Sequence, residues 1–138
     1  MRYLLPLALL LCLAAFPRSG SAARDDRAGI ATEYAVCTGR FAAMAQHDRM
    51  RRDPRHDAAE MRRDWMRALL DATRSDLIAR ADDDGALARR FLLARSRAAR
   101  AQARLLNTAS YDEDPRRARM ARATAMRHLR ACHGLLTR

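Results

Sequence analysis

Three side chains with sulfur or imidazole donors follow one another at short intervals: Met44, His47 and Met50. Residues three apart on a helix are surface neighbours, so a helix would bring the three to one region. Thioether and imidazole groups are ligands that copper accepts in proteins. His56 and Met61 come next in the chain and would approach from a second helix. Methionine also fills gaps in helical cores, and on this ground we expect no bound metal.

A second string with chemical potential is Leu129-Arg130-Ala131-Cys132-His133. Haem attachment uses Cys-x-x-Cys-His, and the Cys132-His133 half of this string, near the end of a helical chain, resembles cytochrome c′. Leu129 stands where the first cysteine of the motif would be, so one of the two covalent bonds is missing. We therefore expect no cofactor, and we expect His133 to be exposed beside a disulfide.

Enzyme signatures are absent from the sequence. It has no Gly-x-Ser-x-Gly, no His-Glu-x-x-His and no glycine-rich phosphate loop. The carboxylates cluster at predicted helix starts and in loops, where capping explains them. We therefore predict that the protein is not an enzyme.

The beginning of the chain is typical of a secretory signal peptide. After a positively charged start, residues 4–16 form a nearly unbroken apolar run, and small residues then precede a cleavage position after Ala22 or Ala23. About 13 apolar residues fall short of the roughly 20 that span a bilayer. We expect residues 1–23 to be removed, which leaves no transmembrane segment and places the protein in the periplasm or outside the cell.

Residues 24–138 then form a single domain with two cysteines, because Cys12 leaves with the signal peptide. Lipid attachment at Cys12 is the alternative, which the absence of a small residue before it argues against. In an oxidising compartment two cysteines form one intramolecular pair. The sequence therefore predicts a disulfide between Cys37 and Cys132.

Four segments carry helical periodicity and no segment alternates like a strand. The first is expected over about 26–51, and the second from Asp53 or Asp57. The third follows Gly85, and the fourth is capped by Asp114. The predicted inner faces are, in chain order, Ile30, Tyr34, Cys37, Phe41 and Met44; Ala58, Met61, Trp65, Leu69 and Ala72; Leu87, Phe91, Ala94, Ala98, Ala101 and Leu105; and Ala118, Ala121, Ala125, Leu129, Cys132 and Leu136.

Short connections between these helices predict an all-α fold, an up-down-up-down four-helix bundle. In that topology the first and last helices lie side by side and run in opposite directions. Cys37 and Cys132 then lie at the same end of the bundle and face the same core, which is the arrangement that a disulfide needs. The fold and the cysteine pairing are thus consistent with each other.

Charge is divided unevenly along the chain, in which all 27 basic residues are arginine. Residues 24–84 contain 12 arginines and 13 acids, whereas residues 85–138 contain 13 arginines and only 3 acids, all within 112–114. The third and fourth helices should therefore present a continuous positive field. Ten arginines are predicted to form this anion-binding surface: Arg89, Arg90, Arg97, Arg100, Arg104, Arg116, Arg117, Arg119, Arg127 and Arg130.

The partners predicted for that surface are anionic lipid, lipopolysaccharide or an acidic protein. Nucleic acid is the usual partner of a basic protein, but export and the scarcity of aromatic residues for base stacking argue against it. The competing interpretation is a solvated face in an arginine-rich proteome. A metal- or haem-binding bundle is the alternative function. The sequence does not define the oligomeric state.

A short motif near the start of the predicted domain, Tyr34-Ala35-Val36-Cys37-Thr38-Gly39-Arg40, is combined with Trp65 in the second helix and with a terminal Cys132 before two leucines. Together these features resemble a group of small exported alphaproteobacterial proteins. The resemblance implies a disulfide-closed helical bundle. It implies no catalytic or ligand residues.

Overall fold

The computed structural model describes residues 19–79 and 84–137, with side chains for 25–79 and 85–137. Most of the predicted signal peptide, residues 1–18, lies outside the described residues. The described part of the chain forms helices and connecting turns, without a strand. The four helices are α1, Ser19–Met50; α2, His56–Ile78; α3, Asp84–Tyr111; and α4, Pro115–Leu136.

The helix boundaries follow from local chemistry. Asp114 caps α4 as predicted: its carboxylate accepts hydrogen bonds from the backbone N–H groups of Arg116 and Arg117, and Pro115 occupies the first turn. α2 begins at His56, between the two predicted starts, and its N-cap residue Arg55 has no side-chain cap; Asp53 Oδ1 accepts from the N–H of Arg55 at 3.0 Å in the turn before the helix. α1 begins earlier than the periodicity predicted, at Ser19.

The directions of the helices confirm the up-down-up-down bundle. Late residues of α1 and α3 lie together, since His47 Nε2 and Ser110 Oγ are 3.3 Å apart, so these two helices run parallel. α4 runs antiparallel to α3, because Gln102 Nε2 of α3 donates to the carbonyl of Ala125 at 3.2 Å. α1 packs extensively against both α2 and α3, whereas α4 packs mainly against α3. α1 is therefore the central helix of the bundle.

The close packing of α1 on α3 depends on Gly39. A Cβ atom at this position would lie 2.2 Å from the carbonyl oxygen of Arg95 and 3.1 Å from the backbone nitrogen of Ala99. These are main-chain atoms, which cannot move aside as a flexible side chain can. The absence of a side chain at Gly39 thus allows the two parallel helices α1 and α3 to approach each other backbone to backbone.

The predicted disulfide joins Cys37 to Cys132, with their Cα atoms 5.4 Å apart. Both cysteines are buried and form a core cluster with Phe41 and Met66. A second cluster lies nearer the start of α1, where Ala31 and Ala35 meet leucines of α2 and a phenylalanine of α3. The core therefore consists of two centres distributed along α1.

The predicted inner face of α2 is wrong at three of its five residues, whereas Leu69 does pack against the core. Met61 and Trp65 are each 53 % exposed, and Ala72 is exposed as well. α2 carries two apolar stripes, and the stripe that packs against α1 contains Met66 and the longer aliphatic residues. The indole of Trp65 tolerates partial exposure because it is amphipathic. The buried residues of α2 are Ala59, Met66, Leu70 and Leu77.

The predicted inner faces of the other helices agree better with the structure. Ile30 of α1 is the clear exception, with 45 % of its surface exposed, while Cys37 and Phe41 are buried as predicted. In α4, Ala121, Ala125 and Cys132 are buried. In α3, Phe91 is buried, and the rest of its predicted stripe is half-buried.

Asp53 gives a test of the turn between α1 and α2. Hydrogen bonds from the Arg55 side chain and backbone hold the pKa of Asp53 at about 2. A carboxyl with a lowered pKa contributes stability that is complete above its unfolded pKa near 4 and is lost as the pH falls toward 2. We expect Asp53→Asn to lower the melting temperature at pH 6 and to have little effect at pH 2. A difference that persists unchanged at pH 2 would assign the effect to packing.

Candidate functional site

All ten arginines of the predicted anion-binding surface are exposed in the structure. We call this set the arginine flank. Its members on α3 include Arg89, Arg97 and Arg104, whose spacings of eight and seven keep them on one side of the helix. α4 packs beside α3, so the structure exposes the predicted arginines on the outer faces of two neighbouring helices.

Most of this surface carries uncompensated charge. Arg117 forms two ion pairs: its Nη2 atom lies 3.2 Å from Asp112 Oδ1, and its Nε atom lies 3.4 Å from Asp114 Oδ2. The other nine arginines of the flank form no ion pair within the described residues. The physical reason is the sequence of α3 and α4, which has no acidic residue between Gly85 and Tyr111 or between Pro115 and Leu136.

Two exposed leucines accompany the arginines of α3. Leu92 is 62 % exposed and Leu93 is 44 % exposed. Leu93 lines a shallow depression of about 450 Å³ together with Arg89, Arg90 and Arg97. The sequence analysis did not single out these leucines, because they fall outside the predicted apolar stripe that contains Phe91. An apolar group among cations is typical of a surface that contacts lipid headgroups and the first acyl carbons.

Two cavities adjoin α4, one between α4, α1 and α2 and the other between α4, α1 and α3. One has a volume of about 430 Å³ and is walled by Phe41, Met44, Met126 and Leu129. The other has a volume of about 370 Å³ and is lined by His47 and Ser110 as well as by the two methionines. Met44, Asp48, Arg55 and Met126 line both cavities, so the two are adjacent parts of one cleft.

Asp48 is the unusual residue of this cleft. It is only 3 % exposed, and its Oδ2 atom has no hydrogen-bond partner. Burial raises the pKa of Asp48, and the neighbouring Asp53 raises it further. Burial lowers the pKa of the adjacent His47, whose Nε2 is held by Ser110. Neither shift could have been predicted from the sequence, which shows only two polar residues in a helix.

The fold places the five candidate copper ligands named in the sequence analysis in different environments. Met44 and His47 line the same cavity. Met50 is 66 % exposed, Met61 lies on the outer face of α2, and His56 Nδ1 lies 2.8 Å from the carbonyl oxygen of Asp53. The structure places Met126 of α4 in the cavity instead, a residue that periodicity did not single out. Within the described part of the chain, no three His, Cys, Asp or Glu side chains converge as a metal site.

The segment 129–133, which resembles half of a haem-attachment motif, lies at the boundary between the core and the surface of the bundle. The sulfur of Cys132 is bonded to Cys37, so it is not free to form a thioether with haem. Arg40 Nη1 of α1 lies 3.7 Å from this sulfur. His133 is exposed, as expected, and Leu129 packs against the core cluster of the disulfide.

Comparisons of the chain with protein-family models, curated protein sequences and solved structures found no match. Among the residues that the structure describes, no helix combines the length and the apolar character needed to span a bilayer.

Proposed function

We propose that this is an exported, non-enzymatic helical protein that docks on anionic lipid through its arginine flank. The observation that carries the proposal is the exposure of all ten flank arginines, nine of them without an ion pair within the described residues. Arginine donates paired hydrogen bonds that match the geometry of a phosphate group. Lipid phosphates are the anions that best suit a broad, shallow surface of this kind.

The exposed leucines favour lipid over an acidic protein. Leu92 and Leu93 lie within the arginine-rich part of α3 and would enter the interface between headgroups and acyl chains. Burial of apolar area then adds to the electrostatic attraction. The signal peptide predicted at residues 1–23 supports the same partner, because export would bring the protein to membrane surfaces and away from nucleic acid.

Docking is tested with two charge-reversal variants that are matched in spacing. Arg97→Glu combined with Arg104→Glu changes two flank positions seven residues apart on α3. Arg67→Glu combined with Arg74→Glu changes two positions seven apart on α2, where both arginines are exposed and form no ion pair among the described residues. Each arginine near an anionic bilayer contributes about 1 kcal/mol. We expect the flank variant to bind anionic phosphatidylglycerol vesicles at least tenfold more weakly, and the α2 variant to bind nearly as well as wild type.

The same vesicles supply the salt and composition controls. Binding should weaken steeply as salt rises, since the Debye length shortens from about 10 Å at 0.1 M to about 3 Å at 1 M. Neutral phosphatidylcholine vesicles should bind little. Equal losses in the two variants, or no binding to anionic vesicles at low salt, would contradict the proposal. Binding to lipopolysaccharide but not to phosphatidylglycerol would restrict it to that lipid.

A further inference from the structure

We infer that the cleft beside α4 binds a soft monovalent metal ion, Cu(I), with Met44, Met126 and His47 as its ligands. The flank residue Arg130 lines the neighbouring cavity of the cleft, but none of the three ligands belongs to the arginine flank, and the inference does not depend on lipid docking. It differs from the set that the sequence offered, because Met126 takes the place of the exposed Met50 and Met61.

The sulfur and imidazole donors lie around one cavity. Met44, His47 and Asp48 stand at positions i, i+3 and i+4 of α1, which are neighbours on one face of a helix. All three line the cavity of about 370 Å³, and Met126 lines it from α4. Methionine side chains have three flexible torsions, so the two thioethers can adjust toward a shared ion. Thioether and imidazole donors together select Cu(I) over harder metals.

His47 supplies the imidazole donor. Its Nε2 atom lies 3.3 Å from Ser110 Oγ, and in the tautomer in which Nε2–H donates to this oxygen, Nδ1 carries the lone pair that binds a metal. A ligating histidine usually has its second nitrogen held by a hydrogen bond, which fixes the orientation of the ring. Ser110 supplies this bond from α3. The ring is 8 % exposed, so water competes little for it.

The cavity also contains a buried carboxylate. Asp48 Oδ2 has no partner, and an unpaired buried carboxylate is costly unless a cation compensates it. Two cations of the cavity are engaged elsewhere, since Arg55 binds Asp53 and Arg122 donates to the carbonyl of Ala109, and no arginine side chain donates a hydrogen bond to Asp48 Oδ2. A monovalent ion next to Asp48 forms a neutral pair. These arginines, together with Arg51 in the same cavity, disfavour a divalent ion.

The test is a titration with Cu(I) in competition with a chromophoric Cu(I) chelator, under anaerobic conditions with ascorbate, which leaves disulfides intact. The protein is the full chain carrying Cys12→Ala, so that no free thiol binds the metal. We expect one equivalent of Cu(I) to be bound. Zn(II) in the same concentration range should not bind.

Matched variants identify the ligands. Met44→Leu and Met126→Leu conserve shape and apolar character, and each is expected to weaken Cu(I) binding at least tenfold. His47→Gln should do the same. Met61→Leu and Met120→Leu change methionines that are 53 % and 62 % exposed, and both should bind as the parent does. Circular dichroism checks that each variant is folded.

Two results would overturn the inference. One is a chain that takes no Cu(I) from the chelator. The other is an equal loss of affinity in the cavity and control variants, which would show binding by scattered surface methionines. Addition of Ag(I), a redox-stable substitute, gives an independent readout: it should shift the ring resonances of His47 and leave those of His133 unchanged. Shifts at His133 alone would also contradict the site.

Discussion

Replacing Gly39 by alanine is expected to destabilise the protein by about 2–3 kcal/mol, the range of an overpacked core. The added Cβ would lie 2.2 Å from the carbonyl oxygen of Arg95, a distance that only a displacement of α1 from α3 can relieve. That displacement would separate α1 from α3 at the point where their backbones approach each other closely. Urea unfolding followed by circular dichroism measures the loss.

Two other glycines provide the control for this experiment. Among the described residues, and apart from the backbone of their own helical turns, Gly29 in α1 and Gly134 in α4 have no neighbour within 4 Å of the position that a Cβ would take. Because alanine is the better helix former by up to about 1 kcal/mol, Gly29→Ala and Gly134→Ala should be neutral or slightly stabilising. A Gly39→Ala protein as stable as these two would show that the packing of α1 on α3 is looser than the structure indicates.

The contact at Gly39 also shows how far sequence reasoning reaches. Periodicity and caps predicted four helices, their directions and the Cys37–Cys132 pair. They did not predict that α1 is the central helix, packed on α2 and α3 alike. That arrangement depends on the absence of one side chain, and a single glycine inside a helical pattern carries no information about which neighbour will approach it.

The wrong face of α2 has a different cause. Met61, Trp65 and Ala72 form a regular apolar stripe, and so do Ala59, Met66, Leu70 and Leu77. Two stripes on one helix are equivalent in a sequence pattern, and only the partner decides which is buried. α2 packs chiefly on α1, which covers one stripe and leaves the other to solvent.

The two candidate sites also differ in how much of each could be predicted from the sequence. The exposure of the flank arginines could be predicted, because exposed charge is a property of composition and helical spacing; their binding of anions stays a prediction. The cleft was not predicted, although two of its residues were named as candidate copper ligands. Met44 and His47 are close in the chain, but Met126 arrives from α4 and Asp48 is buried by the packing of three helices, and neither effect is local.

The disulfide is expected to be the strongest single link in the fold. The free energy of unfolding of the double variant Cys37→Ala, Cys132→Ala should be about 2–4 kcal/mol lower than that of the oxidised protein. The two cysteines are separated by 95 positions, so the bond restricts most of the unfolded chain. Chain entropy alone predicts roughly 4–5 kcal/mol, and the lower figure allows for strain and residual structure. Urea unfolding with and without dithiothreitol measures it.

Reduction of the disulfide should loosen α4 more than α2. This difference would distinguish the attachment of α4 by the disulfide from a general loss of stability. α4 packs mainly on α3 and only sparsely on α1 and α2, so the bond at Cys132 is its principal attachment to α1. Amide hydrogen exchange should therefore accelerate more in α4 than in α2 when wild type is reduced. Dithiothreitol should have no effect on the double variant, in which no disulfide remains. If reduced and oxidised wild type had equal stability, or if α2 lost its protection first, the bond would not be what fastens α4 to the centre of the bundle.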